Sequence, residues 1–212
     1  MNDTNEMLAA NGVNEASTTH EGQSRFLILG GVLWVLLIGM GFMILAREEF
    51  TPAVGVASTG GFPAHSSIAL DRLKPTLLLF AHPQCPCTRA TFSELDRLLL
   101  DTHQAFDVVI VFTIPKGAPT GWEQGDLWSY AARMPGVIVF RDDGGTETER
   151  FHAHGSGQVL VYLPSGDLLF AGGITSARGH EGDNSGLSAL VNFARTGAMP
   201  VNHTPVFGCS LL

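Results

Sequence analysis

Cysteine is scarce. Three residues in a chain of 212 are too few to staple a small coreless domain, and the odd count leaves one thiol without an obvious mate. Positive charge is scarce as well: Lys and Arg number 12 against 20 Asp and Glu, and downstream of residue 60 the count is 10 against 14. With no dense basic stripe, nucleic acid is not expected as a partner. No internal repeat is present, and Trp122 and Trp128 read as core or rim packing instead of a platform for stacked bases.

The chain is not short of apolar residues. At 45% hydrophobic content it can bury one substantial core, and it carries a second apolar feature outside that core. Phe26 to Ala46 is an uncharged run of 21 residues between Arg25 and Arg47, long enough as a helix to cross a bilayer core. A cleavable signal peptide usually has a shorter apolar stretch and a shorter leader, so an uncleaved signal anchor is the preferred reading. One arginine at each end makes the positive-inside vote weak. The domain is placed on the periplasmic or extracytoplasmic side by analogy with other anchored thiol proteins.

Residues 1–25 are polar, lack apolar periodicity and are expected to form a disordered tail. Residues 26–46 form the transmembrane anchor, residues 47–69 a Gly-, Pro- and Ala-rich linker, and residues 70–212 the folded domain. Within that domain the pattern predicts a strand over 75–81 and a helix over 87–101 with Phe92, Leu95, Leu98 and Leu99 inward and Glu94, Asp96 and Arg97 outward. A β-branched strand follows over 107–114, then a weaker helix over 122–134 and a short strand over 136–140. Residues 142–157 predict a short helix and a loop, and 159–163 with 168–174 a hairpin around Pro164-Ser165-Gly166-Asp167. Asp183, Asn184 or Ser185 caps a last helix whose inward face is Leu187, Leu190, Val191 and Ala194. Interleaved strands and helices imply an α/β fold with a mostly parallel central sheet and a C-terminal antiparallel hairpin.

Cys85-Pro86-Cys87 lies at the junction of the first strand and first helix of this domain. Unpaired N–H groups and partial positive charge at a helix start favour a thiolate, the form that attacks disulfides or binds soft metals, and Pro86 fits there as an early helix residue. The junction is also the carboxyl end of a strand, where such sheets place ligands and reactive groups. His82 is close enough in sequence to tune the first sulfur.

Phe80-Ala81-His82-Pro83-Gln84-Cys85, together with Phe151-His152-Ala153-His154-Gly155-Ser156-Gly157 and the following strand and turn, resembles the thioredoxin superfamily over roughly residues 70–198. It is nearest the membrane-anchored, periplasm-facing branch and is similar to the thioredoxin-like proteins of the red-B type. The resemblance implies a thioredoxin-like fold, protein thiol or disulfide clients and a redox-active centre at Cys85 and Cys87. The loop from Gly173 to Asn184 would begin beside them, with Arg178 or His180 able to hold a thiolate by charge and His180 able to shuttle a proton. Two departures stand out. The usual Cys-x-x-Cys has become Cys-x-Cys, whose small ring implies a strained, more reducible disulfide. Gly157 stands at the position of the superfamily's cis-proline, which implies more open sulfurs.

Three functions follow as alternatives. The leading one is a membrane-tethered thiol–disulfide oxidoreductase in which Cys85 attacks and Cys87 resolves, needing no cofactor. The second is a carrier of a soft metal, most plausibly Cu(I), on Cys85 and Cys87 with His82, His180 or Cys209 as a further ligand. The third is a docking scaffold that keeps the fold alone. Cys209, followed by three residues in this sequence, stays open as second resolving thiol, metal ligand or crosslink.

Overall fold

The structure, a computed structural model, describes residues 3–53 and 60–211, with side chains described from residue 24 onward. It divides into two units, residues 1–48 and 49–212. The first is the bulk of a single helix, α1 (Asp3–Glu49). Its Ser24–Glu49 stretch of 26 residues, whose most apolar part has a mean hydropathy of 2.5 and is unburied, is long and apolar enough to cross a membrane, a description that a signal sequence also meets. The helix begins at Asp3, where the sequence reading expects a tail without regular structure. Met7, Leu8, Ala9 and Ala10 are good helix formers, so local propensity there does not oppose the helix.

The second unit is an α/β domain in the order β1 (Thr76–Ala81), α2 (Thr88–Asp101), β2 (Asp107–Ile114), α3 (Asp126–Ala131), β3 (Val137–Asp143), α4 (Thr146–Arg150), β4 (Gln158–Tyr162), β5 (Leu168–Gly172) and α5 (Ser185–Thr196). The five strands lie in the order β3-β2-β1-β4-β5. β1 pairs parallel with β2, and β2 with β3, whereas β4 runs antiparallel to both β1 and β5. The expected element order is therefore present, with α3 shorter and β3 longer than the periodicity indicates.

Alternation along β1 divides the interior. Leu77, Leu79 and Ala81 join Phe92, Leu95 and Leu98 of α2 and Leu187 and Leu190 of α5 on one side, while Leu78 and Phe80 meet Phe151, Leu160 and Tyr162 on the other. Because both faces are covered, β1 is buried along its whole length, which is why it reads as an unbroken apolar run. Asn184 caps α5, its side chain accepting from the Leu187 N–H at 2.8 Å.

Two local expectations change. Glu94, expected to face solvent, is buried in α2 because its carboxylate accepts from the Gly182 N–H at 2.5 Å and so fastens the loop before α5. Residues 60–69, expected as spacer, lie on the domain. Phe62 sits edge-on to Phe151 and Tyr162, and Ser66 and the Ser67 N–H bind Glu147 of α4. Residues 54–59 of the linker lie outside the described residues.

Candidate thiol site

Burial and parallel pairing hold β1 rigid up to Ala81, and the chain then turns through His82, Pro83 and Gln84 to reach Cys85. The Cys85 N–H donates to the His82 carbonyl at 3.1 Å, and the Thr88 N–H to the Cys85 carbonyl at 3.2 Å. These two bonds fold residues 82–88 into consecutive turns that lead into α2. The helix starts at Thr88, one residue later than expected, with Cys87 as a cap residue that contributes no side-chain hydrogen bond. Pro86 thus sits just ahead of the helix instead of inside it. A missing N–H is as harmless in that turn as at a first helical position.

Three sulfurs meet here. Those of Cys85, Cys87 and Cys209 all lie within 4.8 Å of one another, and Cys85 Sγ is 2.7 Å from Cys209 Sγ. All three are free thiols. Cys209 arrives from the C-terminal segment, 124 residues away in sequence from Cys85. That segment first follows the edge of β5: the Ala171 N–H donates to the Asn202 carbonyl at 3.0 Å, and the Thr204 hydroxyl to the Gly173 carbonyl at 2.7 Å. It then crosses to residues 154–156, where the Ser156 N–H donates to the Cys209 carbonyl at 2.8 Å and the Leu211 N–H to the His154 carbonyl at 3.0 Å. Gly155 and Ser210 form an antiparallel bridge, and Leu211 is buried in the second core.

This segment closes the site. Cys85 retains 1% of its exposure, whereas Cys87 and Cys209 are half-buried. Open sulfurs, the consequence expected of a glycine at position 157, are therefore not what the fold produces. Gly157 adopts φ 92°, donates its N–H to the Phe80 carbonyl at 2.8 Å and packs so tightly that a Cβ would lie 2.8 Å from Thr91 Oγ1. Its neighbours on the outer side are covered by the C-terminal segment.

The three thiols differ in acidity. Burial pushes Cys85 up, but hydrogen bonds from the Cys209 thiol, the Thr88 hydroxyl and the N–H groups of Cys209 and Cys87 outweigh it, leaving Cys85 below the ordinary thiol range. Burial pushes Cys87 up, and the neighbouring Cys85 charge adds to the effect, while Arg178 opposes it. Cys209 is pushed up to about 12 by burial first and then by its hydrogen bond to Cys85. Of the closest pair, Cys85 is thus the more acidic thiol and Cys209 the less.

The other sequence candidates divide. Arg178 stands at the edge of the site: its guanidinium donates to the Gly208 carbonyl at 2.8 Å, holding the residue before Cys209. His82 donates its backbone N–H to Ser156 Oγ at 2.8 Å, while its ring meets Trp122 edge-on at 5.4 Å and burial lowers its pKa. His180 faces away toward residues 49 and 50, with Nδ1 3.1 Å from Glu49 Oε1 and its ring stacked on Phe50. Neither histidine belongs to the three-sulfur group. Thr88 and Ser156 are the residues that sequence reasoning missed. Their hydroxyls are 2.6 Å apart and buried, linking the first turn of α2 to the loop before β4. A serine between Gly155 and Gly157, and a glycine before Cys209, were the available signals.

No protein-family model and no curated protein matches the chain. Solved structures do. An uncharacterised conserved protein from Geobacillus kaustophilus is 14% identical over 76% of this chain and 92% of that one, at a TM-score of 0.55. A hypothetical protein from Sinorhizobium meliloti 1021 is 18% identical over 77% and 93%, also at 0.55. A thioredoxin-like protein from Aeropyrum pernix is 18% identical over 76% and 98%, at 0.42. By its strand order and directions the fold is the thioredoxin-like one that the sequence resemblance implies. Its three parallel strands followed by an antiparallel hairpin put the turn after β1, the loop before β4 and, in this chain, the C-terminal segment at one place. On this thioredoxin-like scaffold the donor set of three sulfurs suits a soft ion, as it suits thiol exchange.

Proposed function

We propose that this protein is a membrane-anchored thiol–disulfide oxidoreductase acting on extracytoplasmic protein clients through Cys85 of the Cys-Pro-Cys motif, with a neighbouring thiol to release the client. The observation that carries the reading is a group of three sulfurs within 4.8 Å of one another at the carboxyl end of β1, with Cys85 held below the ordinary thiol range and Cys87 and Cys209 above it. A thiolate attacks a disulfide, and a second thiol close by resolves the mixed disulfide before the client is lost. Cys87 is the expected resolving residue from the motif. The apolar helix has the length and composition of the single-pass anchor this reading requires, and the reading puts the domain on the periplasmic side.

The test uses the full chain in detergent with a disulfide-bonded client peptide. A variant with Cys87→Ser and Cys209→Ser retains only Cys85 and is expected to accumulate a stable mixed disulfide, seen as a mass increase equal to one client thiol. Cys85→Ser is expected to accumulate none. Absence of the adduct in the first variant overturns the reading.

The same three sulfurs support a second reading, carriage of Cu(I) as cargo, because three thiolates within 4.8 Å approach a trigonal soft-metal site. Retention of one copper per chain against a competing chelator after reduced, anaerobic purification, lost in Cys209→Ala, favours carriage over exchange.

A further inference from the structure

Cys209 is the thiol in contact with Cys85, and its position is built by the fold. The strap formed by residues 202–211 is fixed along β5 at one end and by Leu211 in the second core at the other. Between them Gly208 passes so close to the loop before β4 that a Cβ there would overlap the Ser156 carbonyl, and Arg178 holds its carbonyl. No residue larger than glycine fits that crossing, and the crossing is what delivers the next residue, Cys209, to Cys85. Cys87 also lies within 4.8 Å of Cys85, yet it shares a turn with it, and only one residue separates the two along the chain. A bond between residues so close in sequence must distort that turn, whereas a bond to the strap needs no change in backbone course.

We infer that Cys209 is a catalytic residue, the resolving thiol of Cys85, delivered by a strap that lies along the backbone of residues 154–156 in the manner of an added strand. The inference rests on the exchange reading and deepens it by naming the second sulfur and the device that presents it. Because the docked strap leaves Cys85 buried, the strap lifts before a client reaches the thiolate. Cys85 Sγ attacks one sulfur of the client disulfide, forming the mixed disulfide and releasing the other client sulfur as thiolate. When the strap returns, Cys209 loses its proton to a departing client thiolate and its sulfur attacks Cys85 Sγ, breaking the Cys85–client bond. The client disulfide gains two electrons, the Cys85 and Cys209 thiols lose two as their disulfide forms, and solvent supplies the second client proton. The strap then occupies the edge beside Cys85, which keeps the released client from returning. Cys87, half-buried next to both, takes no part in this exchange.

Peptide mapping separates the alternatives. In the full chain in detergent, oxidised by the client disulfide and digested after Lys and Arg, Cys85 and Cys87 share the peptide ending at Arg89, while Cys209 lies on the peptide following Arg195. The expected product is these two peptides joined, with Cys87 alkylated. The expected trapping pattern is several-fold more mixed disulfide in Cys209→Ser than in wild type and no increase in Cys87→Ser. A disulfide internal to the Arg89 peptide, accumulation in Cys87→Ser alone, or accumulation only when both residues are replaced would overturn the role of Cys209 while leaving the exchange reading intact. Failure of the double variant to trap removes both. Gly208→Val keeps all three thiols and is expected to lose the cross-peptide link. Its persistence at the wild-type level would show that the strap is not what brings the sulfurs together.

Discussion

The turn that carries Cys85 and the strap that carries Cys209 bring two sulfurs into contact by opposite means. The turn is local: it grows from a fully buried strand, is closed by two bonds between residues three apart, and runs into a helix. The strap has almost no regular structure of its own and takes its course from groups far away in sequence, the edge of β5, the carbonyls of His154 and Gly173, and Arg178. A nucleophile placed by local structure is present wherever the domain folds. A partner placed by tertiary contacts can be withdrawn, which makes the strap the part suited to opening and closing the site.

The comparison breaks most severely at the turn. Cys85→Ser is expected to reduce exchange to background, measured as client disulfide reduction, while leaving the fold and its melting temperature nearly unchanged, because a hydroxyl fits the same space. Gly208→Val attacks the strap instead. Its overlap with the Ser156 carbonyl is expected to cost about 1–3 kcal/mol and to speed alkylation of Cys85 several-fold, read by mass spectrometry under native conditions. If Cys85 stays as protected as in wild type, the strap does not control access.

Ser156→Ala sharpens the comparison, since this residue serves both sides. Its hydroxyl meets His82 N and Thr88 Oγ1, and its backbone N–H holds the strap. Loss of the hydroxyl from this buried position is expected to cost about 1–3 kcal/mol in denaturant unfolding and to disturb the turn more than the strap, whose bonds are to the backbone. Asn184→Ala, remote from both, provides the reference. Loss of the α5 cap is expected to cost about 1 kcal/mol and leave Cys85 reactivity unchanged.

The smallest effect is a pH dependence with two opposing arms. Cys85 has a folded pKa below its ordinary value of 9.0, so between that lower value and 9.0 the folded state is ionised while the unfolded one is not, and stability rises with pH. Cys209, raised to about 12, contributes stability that is intact below 9.0 and lost as pH rises from there toward 12. Cys209 is half-buried, so solvent screens its share of the effect. Melting temperature is expected to pass through a maximum near pH 9, and Cys209→Ala to shrink the falling arm, to which Cys87 also contributes, and to raise the Cys85 alkylation midpoint, because Cys85 loses its hydrogen-bond donor.

Element types were legible in the sequence because each rests on short-range regularity. The apolar run of β1, the spacing of Phe92, Leu95 and Leu98, the Pro164-Ser165-Gly166-Asp167 turn and the choice of cap residues before Leu187 all express contacts within one element or its neighbour. Glu94 misled because its partner, the Gly182 N–H, is 88 residues away, and a charged residue looks solvated until such a partner is known. His180 likewise reads as a candidate by its place in a glycine-rich loop, yet its neighbours are Glu49 and Phe50.

The sequence by itself determined that two thiols stand at the head of a helix behind a buried strand, since strand, turn and helix are specified by residues adjacent to those cysteines. It also determined the apolar helix of α1, through length and composition alone. Only the tertiary structure decided which sulfur touches Cys85 and whether that sulfur is open to solvent. A tail of single bonds to β5, Ser156 and Arg178 has no period to read, and its course follows from the shape of a surface that exists only once the sheet has formed.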